Sequence, residues 1–342
     1  MSDKKKFFGV NDENWGHKWG YKDSAFIIEE DKAVTFSGNR YPVCGKKLTN
    51  FIPFVESILG VEIEKEPKVK ELKEKYIEKP NINEMFMKEM KETFDEDRYS
   101  IEDNERLLHS HGQHSTDEVY KVLYNKLEKF TDLVFYIENE EETVLLVELA
   151  KKHNVCLIPY GGGTNVTNAL RPPKKENRMI VSVDTRRMNS VENIDEKNLL
   201  VSVYSGITGK ELEKQLNDKG LTAGHEPDSY EFSTVGGWIS TNAAGMKKHR
   251  YGNIEDIVQN ITMITPTGTI NQIEPLTRAS IGIKAQKASE YKITNKIKSD
   301  NILIFDGLVL EGLHKSMNIF DNFKIIALIH HPLYLEYKGK KS

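Results

Sequence analysis

From about residue 130 the chain alternates apolar runs with amphipathic stretches. Leu133-Val134-Phe135-Tyr136-Ile137 has the β-branched and aromatic character of a strand, Glu140 to Asn154 places its apolar residues at helical spacing, and Val155 to Tyr160 is a second strand that ends on three glycines. The pattern predicts a strand, helix, strand unit that delivers a glycine turn. Met179 to Thr185 and Leu199 to Gly206 read as further strands, and Thr208 to Gly220 as a helix with Thr208 near its start and Gly220 at its end. Asn253 to Ile270 returns to strand character, with Thr267 and Gly268 at a hairpin turn. Strands and helices in this order predict an α+β domain over 129–275 rather than a bundle or a sandwich, with no internal repeat.

The flanks differ. Within 1–128, residues 61–106 are rich in Lys and Glu with few apolar anchors, as expected of a solvated helix face or a mobile connector. In 276–342, Lys298 to Leu313 and Phe323 to Glu336 read as two apolar strands of a parallel α/β sheet, a tail of different origin from the rest.

Charge and composition narrow the function. A net charge of -4 leaves no basic footprint for a phosphate backbone, so a nucleic-acid partner is not expected. Cys44 and Cys156 are far apart and form no CxxC pair, so no disulfide framework or zinc site is suggested, and both are expected to be buried thiols. His109, His111 and His114 lack supporting ligands, and no metal is expected there. The basic start is followed by no apolar leader core, and no stretch approaches the length of a membrane span. The chain therefore reads as cytoplasmic, and its last residues, Gly-Lys-Lys-Ser, are not a peroxisomal address.

The candidate chemistry lies in two small-residue segments. Tyr160-Gly161-Gly162-Gly163-Thr164-Asn165 follows directly on a strand, and three glycines let backbone N–H groups converge on one point without a Cβ in the way. Such a nest suits a pyrophosphate, although alone it is equally an ordinary tight turn. It matches neither GxGxxG nor GxxxxGK[ST], which disfavours a dinucleotide Rossmann site and a nucleotide-hydrolysing P-loop. The second segment runs from Pro227 to Trp238 and on through Ile239 to Gly245. Its small residues let backbone approach a flat ligand, and its hydroxyls are expected to bond phosphate or ring edges.

These segments, with Ser182 to Val191 and Ser205 to Leu216 between them, resemble alkyldihydroxyacetonephosphate synthases, members of the vanillyl-alcohol-oxidase, or PCMH, type of FAD-binding fold. WGYKDSAF at 19–26 and RYPVCGKKL at 40–48 resemble that family's own N-terminal signature, so the likeness extends beyond the flavin loops and covers about 15–270. The resemblance implies FAD as a dissociable cofactor, since the glycine loop supplies no His or Cys for covalent attachment. It places the pyrophosphate on Pro159, Tyr160, Gly161, Gly162, Gly163, Thr164 and Asn165. It places the rest of the cofactor against Asp228, Ser229, Tyr230, Glu231, Phe232, Ser233 and Thr234 and against Thr241, Asn242, Ala243 and Ala244. The implied reaction exchanges the acyl chain of an acyl-dihydroxyacetonephosphate for a long-chain alcohol, without net redox change, the flavin N5 holding the dihydroxyacetonephosphate carbon. A homodimer, peripheral contact with a membrane and a peroxisomal location also go with the resemblance.

After Ile270 the family's third flavin segment and its substrate domain, with a catalytic tyrosine and a histidine cluster, do not follow, so no catalytic residue is assigned and a flavin half without its own catalysis is expected. Residues 298–342 resemble instead the N-terminal half of some family 4 GT-B glycosyltransferases. His330 and His331 follow a strand there and are read as a turn rather than as the family's histidine cluster. Lys247, Lys248 and Arg250 read as a solvated loop or as a phosphate attractor, and Asp23 and Arg40 as residues that order the N-terminal segment. Two other readings stand beside the leading one: a flavin-dependent 2-hydroxy-acid oxidoreductase, and a non-catalytic FAD-binding fragment or fusion.

Overall fold

The computed structural model describes residues 21–65 and 76–270, together with the backbone of 271, 302–306 and 324–328. A small N-terminal sheet comes first, β1 (Phe26–Ile28), β2 (Val34–Phe36) and β3 (Lys47–Leu48), antiparallel throughout. Helix α1 (Phe51–Leu59) follows and ends at Gly60, whose φ of 65° suits a residue without a Cβ and lets its N–H reach the Glu56 carbonyl.

The next elements are α2 (Glu84–Thr93), β4 (Tyr99–Ser100), α3 (Asp103–Leu108), α4 (Thr116–Leu123), β5 (Leu133–Tyr136), α5 (Glu140–Lys152), β6 (Cys156–Tyr160) and β7 (Ile180–Asp184). The strand, helix, strand unit predicted from the sequence is β5-α5-β6. Its strands enter a four-stranded sheet in the order β4-β5-β7-β6, with β5, β7 and β6 parallel and β4 antiparallel at the edge. The two central strands are buried on both faces, which is why they read as continuous apolar runs. Leu133, Phe135, Val181 and Val183 meet α2 and α5 in the main core, and the alternate residues, among them Tyr136 and Asp184, serve the other face.

Within 61–106, residues 84–100 differ from the expected solvated connector. Helix α2 puts Phe86, Met87 and Met90 into the main core with Phe94 just beyond its end, and β4 pairs with β5. The surrounding Lys and Glu residues mask this short apolar stripe in a composition average.

A second core gathers around β8 (Val191–Asp195), β9 (Leu200–Val203), α6 (Gly209–Asn217), α7 (Val235–Ser240) and α9 (Ile254–Ile257), with Ile207, Leu212, Leu216, Trp238 and Ile254 at its centre, and the short α8 (Lys248–Tyr251) lies outside it. Thr208 caps α6 as expected, its hydroxyl accepting from the Glu211 N–H at 3.3 Å. The helix ends at Asn217 rather than at Gly220, which takes a φ of 71° after a further turn. The hairpin of β10 (Thr262–Thr265) and β11 (Gly268–Asn271) turns through Pro266 and Thr267, with Gly268 already the first residue of the returning strand. In the tail, β12 (Ile302–Asp306) and β13 (Lys324–Leu328) pair in parallel, as the strand reading expected. His330 and His331 lie outside the described residues.

Candidate flavin site

Strand β6 delivers Tyr160 into the interior and leads into the half-buried Gly161 and Gly162 and the buried Gly163. The loop is interlocked with the segment 228–234, far away in sequence. A Cβ on Gly162 would lie 2.7 Å from the Phe232 carbonyl carbon and 3.1 Å from Ser233 Cα, and one on Gly161 would lie 2.5 Å from Thr234 Oγ1. Gly163 adopts a φ of 71° with the Tyr160 hydroxyl beneath it, and its carbonyl accepts from the Gln113 N–H at 2.7 Å. The amides of Gly161, Gly162, Gly163, Thr164 and Asn165 find no acceptor among the described residues. Five consecutive donors left open on a glycine turn are what an anionic pyrophosphate requires, so the residues present fit FAD.

The hydroxyls of the second segment have another use. Ser233 Oγ accepts from the Trp238 indole N–H at 2.7 Å, and Thr234 Oγ1 caps α7 by accepting from the Gly237 N–H at 3.2 Å. Ser240 and Thr241 donate back to the Gly236 and Gly237 carbonyls at 2.7 and 2.9 Å. These side chains hold the protein's own loop and helix in place, and the Ser233 and Thr234 hydroxyls, which act there as acceptors, are still able to donate. Ser229 and Thr164 keep hydroxyls with no bond to the described residues. Asn242 takes a φ of 48° as the chain leaves α7, and Ala243 returns its N–H to the Trp238 carbonyl, forming the third small-residue loop with Ala244. Asp228 and Tyr230 are exposed, as is Pro159, whose backbone pairs with Val183. The carboxylate of Glu231 is taken up by Tyr21, Tyr41 and Lys210.

A buried charged cluster lies under the glycine loop. Asp184 is 0% exposed and binds Arg186 Nε at 3.0 Å and His109 Nε2 at 2.8 Å. Burial would raise its pKa, but the Arg186 guanidinium and His109 outweigh that and hold the carboxyl well below the usual range. Tyr160 is packed at 4.4 Å from the His109 ring and 5.3 Å from the Arg186 guanidinium, and burial pushes its hydroxyl up to about 12. Glu105 bonds the Tyr136 hydroxyl, and burial raises the pKa of both groups. Glu118 is also buried, with Oε1 accepting from the Gly112 N–H at 3.0 Å and Oε2 unpartnered among the described residues, and burial raises its pKa too.

Two contributors escaped the sequence reading. Residues 109–118, set aside as carrying no metal chemistry, brace the glycine loop through Gln113 and approach it at Gly112, where a Cβ would lie 2.9 Å from the Asn165 carbonyl. Among the described residues no group of three or more His, Cys, Asp or Glu is placed to hold a metal. His225 is 2% exposed, lies 4.8 Å from the Trp238 ring behind the third loop, and has no partner on either ring nitrogen among the described residues. Burial lowers its pKa. A lone His in Gly224-His225-Glu226-Pro227 follows no periodicity, so only its position just before the second flavin segment could have pointed to it.

The remaining candidates resolve plainly. Lys247 pairs with Glu226 at 2.9 Å, while Lys248 and Arg250 are exposed in α8. Arg40 Nε binds both Asp23 oxygens at 3.1 and 3.0 Å, ordering the N-terminal segment as expected. Cys44 and Cys156 are half-buried rather than buried, because one sits in an exposed turn and the other on the edge strand β6.

Residues 131–274 match the family FAD_binding_4, the FAD binding domain. The chain is 41% identical over 267 residues to the alkyldihydroxyacetonephosphate synthase of Caenorhabditis elegans, an alignment that covers 77% of this chain and 44% of that protein. A solved structure of an alkyldihydroxyacetonephosphate synthase superposes with a TM-score of 0.71 at 30% identity, covering 78% of this chain and 50% of that one. A mitochondrial D-lactate dehydrogenase (cytochrome) of Kluyveromyces lactis is 26% identical over 288 residues, covering 82% of this chain and 47% of that protein. The chain thus spans about half the length of the relatives it matches. The glycosyltransferase likeness of residues 298–342 is not borne out by these comparisons. The fold is the α+β, PCMH-type FAD-binding fold, its cofactor is FAD, and its likeness is to the alkyldihydroxyacetonephosphate synthases more than to the D-lactate dehydrogenases.

Proposed function

We propose that this chain, whose residues 131–274 form an FAD-binding domain of alkyldihydroxyacetonephosphate synthase type, is the flavin half of an alkylglycerone-phosphate synthase of ether lipid biosynthesis. The reaction exchanges the acyl chain of acyl-dihydroxyacetonephosphate for a long-chain alcohol, and FAD, when bound, supplies ring chemistry that amino-acid side chains lack. The observation that carries the reading is the open row of amides from Gly161 to Asn165 on a loop locked against residues 228–234. That row would bind the pyrophosphate without a covalent link, residues 228–234 and 241–244 would border the rest of the cofactor, and His225 would offer a neutral imidazole from behind the third loop. Among the described residues no helix is long and apolar enough to cross a membrane. Peripheral contact with a lipid surface, a homodimer and a cytoplasmic or peroxisomal compartment accompany the reading.

The likeness outside the flavin loops favours the synthase over a 2-hydroxy-acid oxidoreductase, because the matching N-terminal signature includes Tyr21 and Tyr41, which dock on the flavin segment. An absorbance spectrum of the purified chain with FAD, followed by palmitoyl-dihydroxyacetonephosphate and separately by D-lactate, tests it. Retained flavin that does not bleach with D-lactate is expected, and bleaching with the phosphate ester would show that this half alone still acts on the substrate. Bleaching by D-lactate alone would transfer the assignment to the oxidoreductases, and flavin retained without bleaching by either would leave a non-catalytic FAD-binding fragment.

A further inference from the structure

Glu231 lies within the second flavin segment, yet its carboxylate is satisfied by groups outside the flavin loops. The Tyr21 hydroxyl donates to Oε1 at 3.0 Å, the Tyr41 hydroxyl to Oε2 at 3.3 Å, and Lys210 Nζ lies 3.0 Å from Oε1. Tyr21 is buried, its ring 5.5 Å from that of Phe232, and the Arg40 guanidinium covers it at 4.0 Å while bonded to Asp23. Burial and the neighbouring Glu231 raise the pKa of both tyrosines, so each remains a donor at any working pH. One residue further on, the Phe232 carbonyl meets Gly162 so closely that no Cβ fits between them. Contact therefore runs unbroken from residues 21–48, through Glu231 and Phe232, to the glycine loop.

We propose that the N-terminal segment is a clasp on the flavin site: Tyr21 and Tyr41, acting through Glu231, position residues 228–234 against Gly162, so that docking of 21–48 and binding of FAD strengthen each other. The inference rests on the flavin reading above. Its physical basis is that residues 228–233 form turns without a regular hydrogen-bond ladder, so an undocked segment leaves them more conformations to lose when FAD binds. Two hydrogen bonds to one carboxylate are strong enough to bias that choice. Linkage then requires the coupling to be reciprocal. Glu231, Tyr21 and Tyr41 are positioning residues in this scheme.

The experiment uses the full chain and three proteins: wild type, Glu231→Gln, and the double variant Tyr21→Phe with Tyr41→Phe. Glutamine presents N–H groups where a donor now ends, and the double variant removes both hydroxyls while keeping both rings. FAD affinity is measured by flavin fluorescence, folding by thermal melting, and amide exchange over residues 21–48 with and without saturating FAD. Each variant is expected to bind FAD about fivefold or more weakly than wild type while still melting cooperatively. FAD is expected to slow exchange over 21–48 in the wild type by a similar factor, and by much less in the variants. Wild-type affinity in both folded variants, or exchange over 21–48 indifferent to FAD in the wild type, overturns the clasp. If Glu231→Gln does not fold, the double variant and the wild-type exchange decide. A wild-type chain that takes up no FAD overturns the flavin reading and the clasp together, an outcome distinct from variants that lose nothing.

Discussion

Substituting Gly162 by alanine tests whether the flavin site depends on two loops meeting at backbone distance. Gly162 is not among the residues with positive φ, so alanine can adopt its torsion angles and the effect is one of contact alone. The new methyl would collide first with the Phe232 carbonyl oxygen and would lie 2.7 Å from the carbon behind it, and ordinary contact begins near 3.4 Å, so that carbon must retreat by at least 0.7 Å (3.4 minus 2.7) and the oxygen by more. Ser233 Cα at 3.1 Å blocks the neighbouring direction, and all three obstacles are backbone rather than the end of a flexible side chain. Overpacking of this kind costs about 1–3 kcal/mol. Borne by the FAD-competent arrangement, that is about 5- to 150-fold in Kd. Gly220→Ala supplies the comparison: it meets nothing within 4 Å but is held at a φ of 71°. The left-handed conformation costs alanine about 1–2 kcal/mol of stability, away from the flavin loops. FAD titration by fluorescence quenching and melting by circular dichroism separate the two: Gly162→Ala is expected to lose affinity, and Gly220→Ala to lose melting temperature at unchanged affinity. A Gly162→Ala chain with wild-type Kd would refute the reasoning, since the loops would then have room to spare.

Asp184→Asn removes the carboxylate between Arg186 and His109 and is expected to destabilise the chain by about 3–5 kcal/mol, read as a shift of the urea midpoint. The folded-state pKa of Asp184 is depressed, so its contribution is present above the unfolded carboxylate pKa near 3.8 and is lost as pH falls through the lower folded value. The variant should accordingly show less of that acid-induced loss. Glu118→Gln is expected to leave stability unchanged or higher at pH 7, because the folded pKa of Glu118 is raised and its stabilising contribution is lost as pH rises through that value. Urea melts between pH 5 and pH 8 check it, and a large loss at pH 7 would mean that the unpartnered oxygen has an essential partner. His225→Leu removes two unpartnered buried nitrogens and is expected to keep the melting temperature while weakening FAD binding or its bleaching. A folded pKa below 6.5 means that the unfolded chain binds a proton the folded one refuses, so the wild type loses stability as pH falls below about 6.5 and the variant loses less.

What was legible in the sequence is what neighbouring residues decide. Strands β5, β6 and β7 and helix α5 are marked by apolar spacing over a few residues, and the glycine loop by residue type alone, because only a missing Cβ allows Phe232 to come so near Gly162. Helix α2 was lost because Phe86, Met87 and Met90 stand among lysines and glutamates and find their partners in α5 and the sheet. The structural role of these hydroxyls was not legible either: Ser233 and Thr234 also accept from Trp238 and Gly237, which lie within reach, and their O–H groups are still able to donate. The bond from Tyr21 to Glu231 joins residues 210 positions apart and leaves no local trace. That contact also determines what Glu231 can do. A free carboxylate would repel an anionic cofactor nearby, and the same carboxylate bonded to two phenols of the N-terminal segment and to Lys210 of α6 has its charge largely met by the protein. An acidic residue in a flavin segment therefore makes physical sense once the clasp is in place, and its removal should be felt in the affinity for FAD even though its oxygens are already taken.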